Sequence, residues 1–297
     1  RLLLVDAASG AVTEVDRGEY DDTWYRWGIR DHVFSPDSRW IAYTKVEGSL
    51  NDSIFLYEVA SGRRLRVTGP ETPDWSPSFS PDGRYLWFLS RRTWAPTMGR
   101  LDQNHVFLDM TRPYLVLLAA DQPSPFASGA TGDAKEGGGD DGEVVVRVDA
   151  EGLERRILAV EGVEPGEYHR LEATTSGCLF LKWTEPGFLK YQQVTDTTAE
   201  RLELWGYDLE AEEASKLIEG VTNYHLSEDG KKLVYRAGPK LGVVDAGAEA
   251  KVGDGAVDGA GFELRVDRLA EFRQIFDEAW RIQRDWFYDP EMHGVDW

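Results

Sequence analysis

The residues best suited to acid and base chemistry lie at the end of the chain, in the run YDPEMHGVDW that finishes at Trp297. His293 is close in sequence to Glu291 and Asp296, and an imidazole beside a carboxylate can transfer protons near neutral pH. The alternative is a turn that packs after a helix, since Pro290 prevents much helical continuation. We favour the turn, so the sequence assigns no catalytic role to His293.

The other four histidines are scattered along predicted strands, at His32, His105, His169 and His225. None has a histidine, cysteine or carboxylate at the spacing of a zinc site, which favours structural roles. The chain also lacks a G-x-S-x-G elbow, a P-loop and a G-x-G-x-x-G motif after a strand. The sequence therefore predicts no catalytic, cofactor-binding or metal-binding residue within 1–297.

Composition narrows the class of partner. The chain has 33 Lys and Arg against 53 Asp and Glu, a formal charge of -20, which repels nucleic acid and anionic membrane surfaces at long range. No stretch reaches the ~20 apolar residues of a membrane span. The single cysteine, Cys178, lies in an apolar run and is expected to pack as a small hydrophobic residue. We expect a soluble globular protein whose partners are proteins, peptides or cations.

The chain contains an internal sequence repeat, and the structural units that it predicts would position any functional side chains. Three segments share the order apolar, Ser, turn, basic, then alternating apolar positions, and they are residues 34–43 (FSPDSRWIAY), 79–88 (FSPDGRYLWF) and 226–235 (LSEDGKKLVY). Each predicts a strand, a tight turn and a second strand whose buried face begins at Trp40, Leu86 or Leu233. The first two copies lie 45 residues apart, about one four-stranded blade of a β-propeller.

Further hairpins complete the pattern. Outer hairpins are predicted at residues 3–12, 54–67, 146–153 and 204–213, and a degenerate inner hairpin at 168–182. Strands are also expected at 105–108 and 114–118. We predict a mainly β fold of five or six whole or partial blades, with at least half a blade lying upstream of residue 1, so that the propeller is incomplete here.

One stretch inside the repeats has a different composition. Residues 127–143 are rich in glycine and acidic side chains and contain no apolar residue larger than alanine, so burial cannot offset the entropy cost of ordering them. We predict a flexible solvated loop. An acidic cation-binding loop is the alternative, although the segment lacks EF-hand spacing.

The pattern changes to helical spacing after a predicted linker strand at residues 262–266. Asp267 is placed to cap a helix of four to five turns whose apolar residues recur every three or four positions from Leu269 to Ile282. So wide an aromatic face needs a domain to pack against. We therefore predict propeller blades over 1–261 and the start of a helical domain over 262–297.

Several segments resemble one family. Residues 272–297 resemble the segment that opens the helical domain after the second propeller of tricorn-type serine peptidases. Residues 112–116, 123–126, 235–238 and 242–247 resemble that propeller in the same order, so the resemblance covers nearly the whole chain.

This resemblance implies a seven-bladed propeller that gives peptides access to the active site of a cytoplasmic serine peptidase, often a homohexamer, that degrades short peptides. The catalytic histidine and serine of the family lie beyond the matched motifs, and none of them falls within 1–297. The resemblance thus implies an access channel or filter, without catalytic residues of its own.

Two other classes of protein are also compatible with the propeller repeats. A TolB-like propeller binds proteins and cleaves nothing, but the aromatic helix between Leu269 and Trp286 is not expected in it. A prolyl-oligopeptidase-like enzyme also filters peptides through a propeller, and there a G-x-S-x-G elbow should follow the blades.

Overall fold

The computed structural model describes residues 1–18, 28–94, 96–98, 105–127, 144–184, 202–259 and 261–297. These residues form two compact units, Arg1–Val257 and Asp258–Trp297. The first unit is built from antiparallel sheets and the second contains one α-helix, which confirms the mainly β propeller fold followed by a helix. The predicted loop at 127–143 lies outside the described residues, apart from the exposed Ala127.

Three sheets of the first unit are complete four-stranded blades, joined in antiparallel order. Blade I contains β3 (Ile29–Phe34), β4 (Trp40–Val46), β5 (Asp52–Glu58) and β6 (Arg64–Arg66). Blade II contains β7 (Asp74–Phe79), β8 (Tyr85–Ser90), β11 (Arg112–Leu117) and β12 (Ile157–Ala159). Blade III contains β13 (Tyr168–Ala173), β14 (Gly177–Trp183), β15 (Leu202–Asp208) and β16 (Glu213–Glu219).

The remaining sheets are smaller. A half-blade of β1 (Leu2–Val5) and β2 (Val12–Asp16) precedes blade I, and blade IV contains β17 (Asn223–Leu226), β18 (Lys232–Ala237) and β19 (Lys240–Asp245). A separate hairpin of β9 (Pro96–Met98) and β10 (His105–Phe107) lies between β8 and β11 in the chain. Within the described residues, five sheets thus account for the whole and partial blades that the repeats predict.

Three of the inner-hairpin turns, those of blades I, II and IV, have the same construction. In the first, Ser35 Oγ donates to Asp37 Oδ1 (2.6 Å) and accepts from Trp40 N (2.9 Å), and the same bonds recur around Ser80 and Ser227. The third turn residue has positive φ in each copy, at Ser38 (58°), Gly83 (72°) and Gly230 (67°). The Ser-x-Asp pattern therefore sets the turn through its own side chains, which favours the left-handed conformation even where glycine is replaced by serine.

The hydrophobic core lies between successive blades. Separate buried clusters fill the seams between the half-blade and blade I, between I and II, between II and III, and between III and IV. Trp40, Leu86 and Leu233, which were predicted to begin buried faces, are at most 4% exposed. Each seam removes the alternating apolar residues of two sheets from water, which is the main stabilising contribution to such a fold.

One predicted hairpin is wrong. Residues 146–153 form no strand, and the outermost strand of blade II is β12, which pairs with β11. Gly152 has φ 68° and leads into a short 3₁₀ helix, Leu153–Arg156, instead of a returning strand. Val146 is nevertheless buried in the seam between blades I and II.

The second unit contains α1 (Arg268–Trp286) and a short 3₁₀ turn, Met292–Gly294. Asp267 caps α1 as predicted, since its side chain accepts from the backbone nitrogens of Leu269 and Ala270. Residues 262–266 are not a strand, because the described part of this unit offers no strand with which they could pair. No helix among the described residues has the length and apolar character needed to cross a membrane.

Candidate functional site: the inner strands

The first strand of each blade is the candidate site, because in a β-propeller the innermost strands surround the central channel. These strands are β3, β7, β13 and β17, and each leads into the hairpin turn at Ser35, Ser80, Thr174 or Ser227. Their equivalent positions can therefore be counted back from that turn. Channel-side groups on these strands are the ones that a passing molecule would contact.

Three of the inner strands share a β-bulge. The pairing register shifts between Arg30 and Val33 in β3, between Trp75 and Ser78 in β7, and between His169 and Leu171 in β13. At each bulge one non-glycine residue has left-handed φ, namely Asp31 (53°), Ser76 (53°) and Arg170 (43°). A bulge twists the strand and redirects its side chains, so this feature orients the polar groups of the inner strands.

Side chains then join each inner strand to the next. Asp31 Oδ2 accepts from Ser76 N at 3.1 Å. Ser78 Oγ accepts from Ala173 N at 2.9 Å, and Glu172 Oε2 accepts from Leu226 N at 2.9 Å. Each bond supplies a partner for a backbone donor that the ladder of its own blade does not use. At least one polar contact per seam thus joins neighbouring inner strands.

Charged groups at the start of the inner strands are paired. Arg30 donates to Asp31 Oδ2 (2.7 Å) and to Asp52 Oδ2 (2.8 Å), and all three side chains are half-buried or nearly buried. In blade II, Arg92 donates to both oxygens of Asp74 at 2.9 Å. Asp74 is inaccessible to solvent, and this burial raises its pKa although Arg92 opposes the effect.

A third group spans blades III and IV. His225 Nδ1 lies 2.9 Å from Glu172 Oε1 and 3.1 Å from Glu172 Oε2. Arg170 Nε donates to Glu172 Oε1 at 3.0 Å, and Arg170 Nη2 lies 3.3 Å from His225 Nδ1. The side chains of Arg170 and His225 are 39% and 69% exposed, so this group is open to a ligand.

A cleft of about 470 Å³ at the seam of blades I and II is a weaker candidate. Its lining includes Arg66, Arg92, Glu71 and Glu154. Arg66 is paired with Glu47 and Arg92 with Asp74, so both cations of the cleft already have a carboxylate partner.

The histidines do not converge. His32 is exposed on β3, His105 begins β10, and the ring of His169 lies 5.9 Å from that of Trp183. No group of three or more His, Cys, Asp or Glu side chains among the described residues is arranged to hold a metal ion. The contact between His225 and Glu172 could not be predicted from the sequence, because it joins side chains 53 positions apart.

At the chain end, His293 lies beside neither Glu291 nor Asp296. Its Nε2 contacts the hydroxyl of Tyr288, its backbone nitrogen donates to Asp289 Oδ2 at 2.9 Å, and its Nδ1 is 4.0 Å from the same oxygen. Met292 and His293 both have positive φ, 50° and 53°. The tail is therefore a tight turn, and no hydrogen bond or ion pair in this fully described segment joins His293 to the two predicted carboxylates.

Cys178 is fully buried in the seam between blades II and III, as predicted. Burial raises the pKa of its thiol well above the ordinary value. A thiol in that state is a packing group and a poor nucleophile.

Comparison with known proteins agrees with this architecture. Residues 1–247 match the family model described as the tricorn protease second beta propeller domain, and residues 268–297 match that of the tricorn protease C1 domain. Tricorn protease homolog 1 of Streptomyces coelicolor is 33% identical over 309 aligned positions, which cover 100% of this chain and 28% of the relative. Putative tricorn protease homolog 2 of the same organism is 33% identical over 295 positions, covering 91% and 24%.

A crystal structure of the tricorn protease is similar to this chain with a TM-score of 0.76 at 22% identity. The similarity covers 97% of this chain and 27% of that one, and it supports the fold. The chain spans about a quarter of the length of the relatives it matches.

Proposed function

This chain belongs to the tricorn protease family, and from that premise we propose that it is the non-catalytic propeller of a serine peptidase that degrades short peptides. The observation that carries the proposal is the order of the two family matches, the second propeller over residues 1–247 and then the C1 domain over residues 268–297. The role of the propeller is to admit peptides to the active site and to exclude larger molecules.

The inner strands support this role. They carry exposed or half-buried polar side chains along their length, and at least one side-chain bond per seam holds each strand to the next. A rigid polar wall of this kind can contact an extended peptide without trapping it in an apolar pocket. Each hydrogen bond from such a wall to a peptide group is weak. A peptide can therefore move along the channel without being held in one place.

Catalysis in this proposal is supplied by residues outside 1–297. A serine nucleophile assisted by a histidine, with backbone amides holding the oxyanion, would carry out the cleavage. No residue of this chain is assigned to that machinery. As part of the same proposal, the parent protein self-associates, as a homohexamer in the family resemblance, and works in the cytoplasm on peptides rather than on nucleic acid or membranes.

The test is hydrolysis of short fluorogenic peptides by the full-length protein, with and without a serine-reactive phosphonate. Cleavage that the phosphonate blocks supports the proposal. Cleavage that it leaves unchanged would exclude a serine nucleophile. Absence of cleavage, together with stable capture of a protein, would favour the TolB-like scaffold, and labelling of a serine within a G-x-S-x-G elbow would favour the prolyl-oligopeptidase-like enzyme.

A substitution on the inner wall tests the access role separately. His32→Trp adds bulk at an exposed position of β3, and Lys240→Trp adds the same bulk at the start of β19 as the control. We expect His32→Trp to slow cleavage of peptides of about ten residues several-fold more than cleavage of short ones. Equal effects of the two substitutions would contradict the channel.

A further inference from the structure

The inner strands β3, β7, β13 and β17 carry two arginines, Arg30 and Arg170. Arg30 has two carboxylate partners, Asp31 and Asp52, and these pairs leave no unbalanced positive charge. An exposed cation that is fully matched gains little from a further anion, because the anion would first have to displace its present partner.

The seam between blades III and IV is different, because two bases there share one acid. The only carboxylate within ion-pair distance of Arg170 or His225 among the described residues is that of Glu172. Glu172 also accepts the backbone hydrogen bond of Leu226, so its oxygens are heavily used. When the imidazole is protonated, the group carries one positive charge in excess.

The backbone places the two bases on facing inner strands, Arg170 on β13 of blade III and His225 on β17 of blade IV. Arg170 is the left-handed residue of the β13 bulge, where the equivalent positions of blades I and II hold the short side chains of Asp31 and Ser76. A long cationic side chain at a strained position is the exception in this series, and such exceptions often mark functional contacts. His225 lies on β17 opposite Val234 of β18, which adds no charge to the group.

The chemistry of the imidazole sets the ligand. With Nδ1–H donating to Glu172, the neutral ring leaves Nε2 as an acceptor, which would repel an anion. Protonation turns Nε2 into a donor, and Arg170, whose Nη2 lies 3.3 Å from Nδ1 of the same ring, adds a second cationic donor group to the seam. A carboxylate, which has two acceptor oxygens and a negative charge, suits two such donor groups.

We propose that Arg170 and His225 form a binding site for a carboxylate of a peptide, on the inner strands at the seam of blades III and IV. The identity of the ligand as a peptide rests on the proposed function of the chain. The excess positive charge exists only when His225 is protonated, so binding of a carboxylate and protonation of this imidazole favour each other. The carboxylate can come from an Asp or Glu side chain or from the peptide C-terminus.

The experiment is calorimetry on the full-length protein, after phosphonate treatment if it cleaves peptides. Three hexapeptides are compared at pH 6 and pH 8: one with a central Asp and both ends blocked, the same peptide with Asn, and the Asn peptide with a free C-terminus. We expect the Asp peptide or the free C-terminus to bind about fivefold more tightly than the blocked Asn peptide at pH 6, with proton uptake measured in two buffers. The arm that shows the preference identifies the source of the carboxylate.

Arg170→Gln and His225→Gln should each abolish this preference, and His225→Gln should also abolish the proton uptake. Lys231→Gln is the control, because Lys231 is 80% exposed on the neighbouring turn and has only a 3.9 Å contact with Asp229. Unfolding midpoints show whether Arg170→Gln disturbs the packing of the seam. Because His225 is exposed, His225→Gln tests the site even if Arg170→Gln destabilises the fold. A wild-type protein without preference, or a preference that survives both substitutions, would overturn the site. Calorimetry measures peptide binding without turnover. A missing carboxylate site can therefore be distinguished from a missing peptidase activity.

Discussion

One carboxylate oxygen of Asp37 accepts a 2.7 Å hydrogen bond from the backbone nitrogen of Val146, a residue 109 positions later in the chain. The other oxygen holds the hairpin turn of blade I through Ser35 and Arg39 N. Although partial burial raises the pKa of Asp37, the hydrogen bonds from Ser35, Val146 and Arg39 lower it below the ordinary value. One turn residue thus serves both its own hairpin and the neighbouring blade.

Asp37→Ala should therefore destabilise the protein more than the matched change in blade IV, Asp229→Ala. Both remove the bonds within the turn, but only Asp37→Ala also leaves the nitrogen of Val146 without its carboxylate partner. We expect a loss of about 1–3 kcal/mol for Asp37→Ala, since a partly buried donor loses its acceptor. Urea unfolding of both variants measures the difference, and equal losses would show that the contact to Val146 adds nothing.

Asp16 predicts how stability changes in acid. Burial raises the pKa of its carboxyl, but the hydrogen bonds from Tyr43, Arg17 N and Lys45 lower this pKa by more than burial raises it. The net shift of the Asp16 pKa is therefore downward. A lowered folded-state pKa means that the unfolded chain takes up a proton first as the pH falls. The stabilisation is present above the ordinary Asp value of about 4 and is lost as the pH falls through the folded-state pKa.

Asp16→Asn should accordingly flatten the acid limb of the stability profile. We expect the slope of unfolding free energy against pH below about pH 4 to fall by up to about 1.4 kcal/mol per pH unit. The variant should also be less stable at pH 7, because Lys45 (3.1 Å) and Arg64 (2.8 Å) lose the negative charge of the side chain that they share. Parallel acid limbs for variant and wild type would mean that other carboxylates control the acid response.

The turns and the inner hairpins could be predicted from the sequence because their information is local. Ser35 and Asp37 lie two residues apart and set the turn by themselves, so the pattern is visible without a fold. The outer strand of blade II could not be found in this way. Ile157 pairs with Val116 across a long connection, and the Glu-Gly turn before it has the composition of a hairpin but enters a 3₁₀ helix.

The candidate site was hidden for the same reason. Arg170 and Glu172 are two residues apart and look like ordinary strand charges, and only the stacking of blades brings His225 to them. Conversely, Glu291 and Asp296 are near His293 in sequence, but the turn directs Asp289 toward it. Sequence distance alone thus predicted neither the contact between blades nor the partner of His293 in the tail.

Cys178 should be unreactive in the folded protein. Its side chain is fully buried, so a reagent cannot reach the sulfur. Burial also raises the pKa of the thiol, so the reactive thiolate is scarce. We expect no labelling by a thiol-specific reagent under native conditions and complete labelling in denaturant. The labelling rate at low denaturant should follow the opening of the seam between blades II and III. Rapid stoichiometric labelling of the native protein would contradict the burial.

The cap of α1 can be tested in the second unit. Asp267 accepts from the nitrogens of Leu269 (3.0 Å) and Ala270 (3.2 Å), which have no acceptor within the first turn of the helix. Asp267→Ala should destabilise the helix by about 1 kcal/mol, and Asp267→Asn should largely preserve it because asparagine also caps well. Amide hydrogen exchange at Leu269 and Ala270 in the full-length protein is the measurement. Faster exchange in the Ala variant than in the Asn variant is expected, whereas equal exchange in the two would mean that contacts outside the cap hold the first turn.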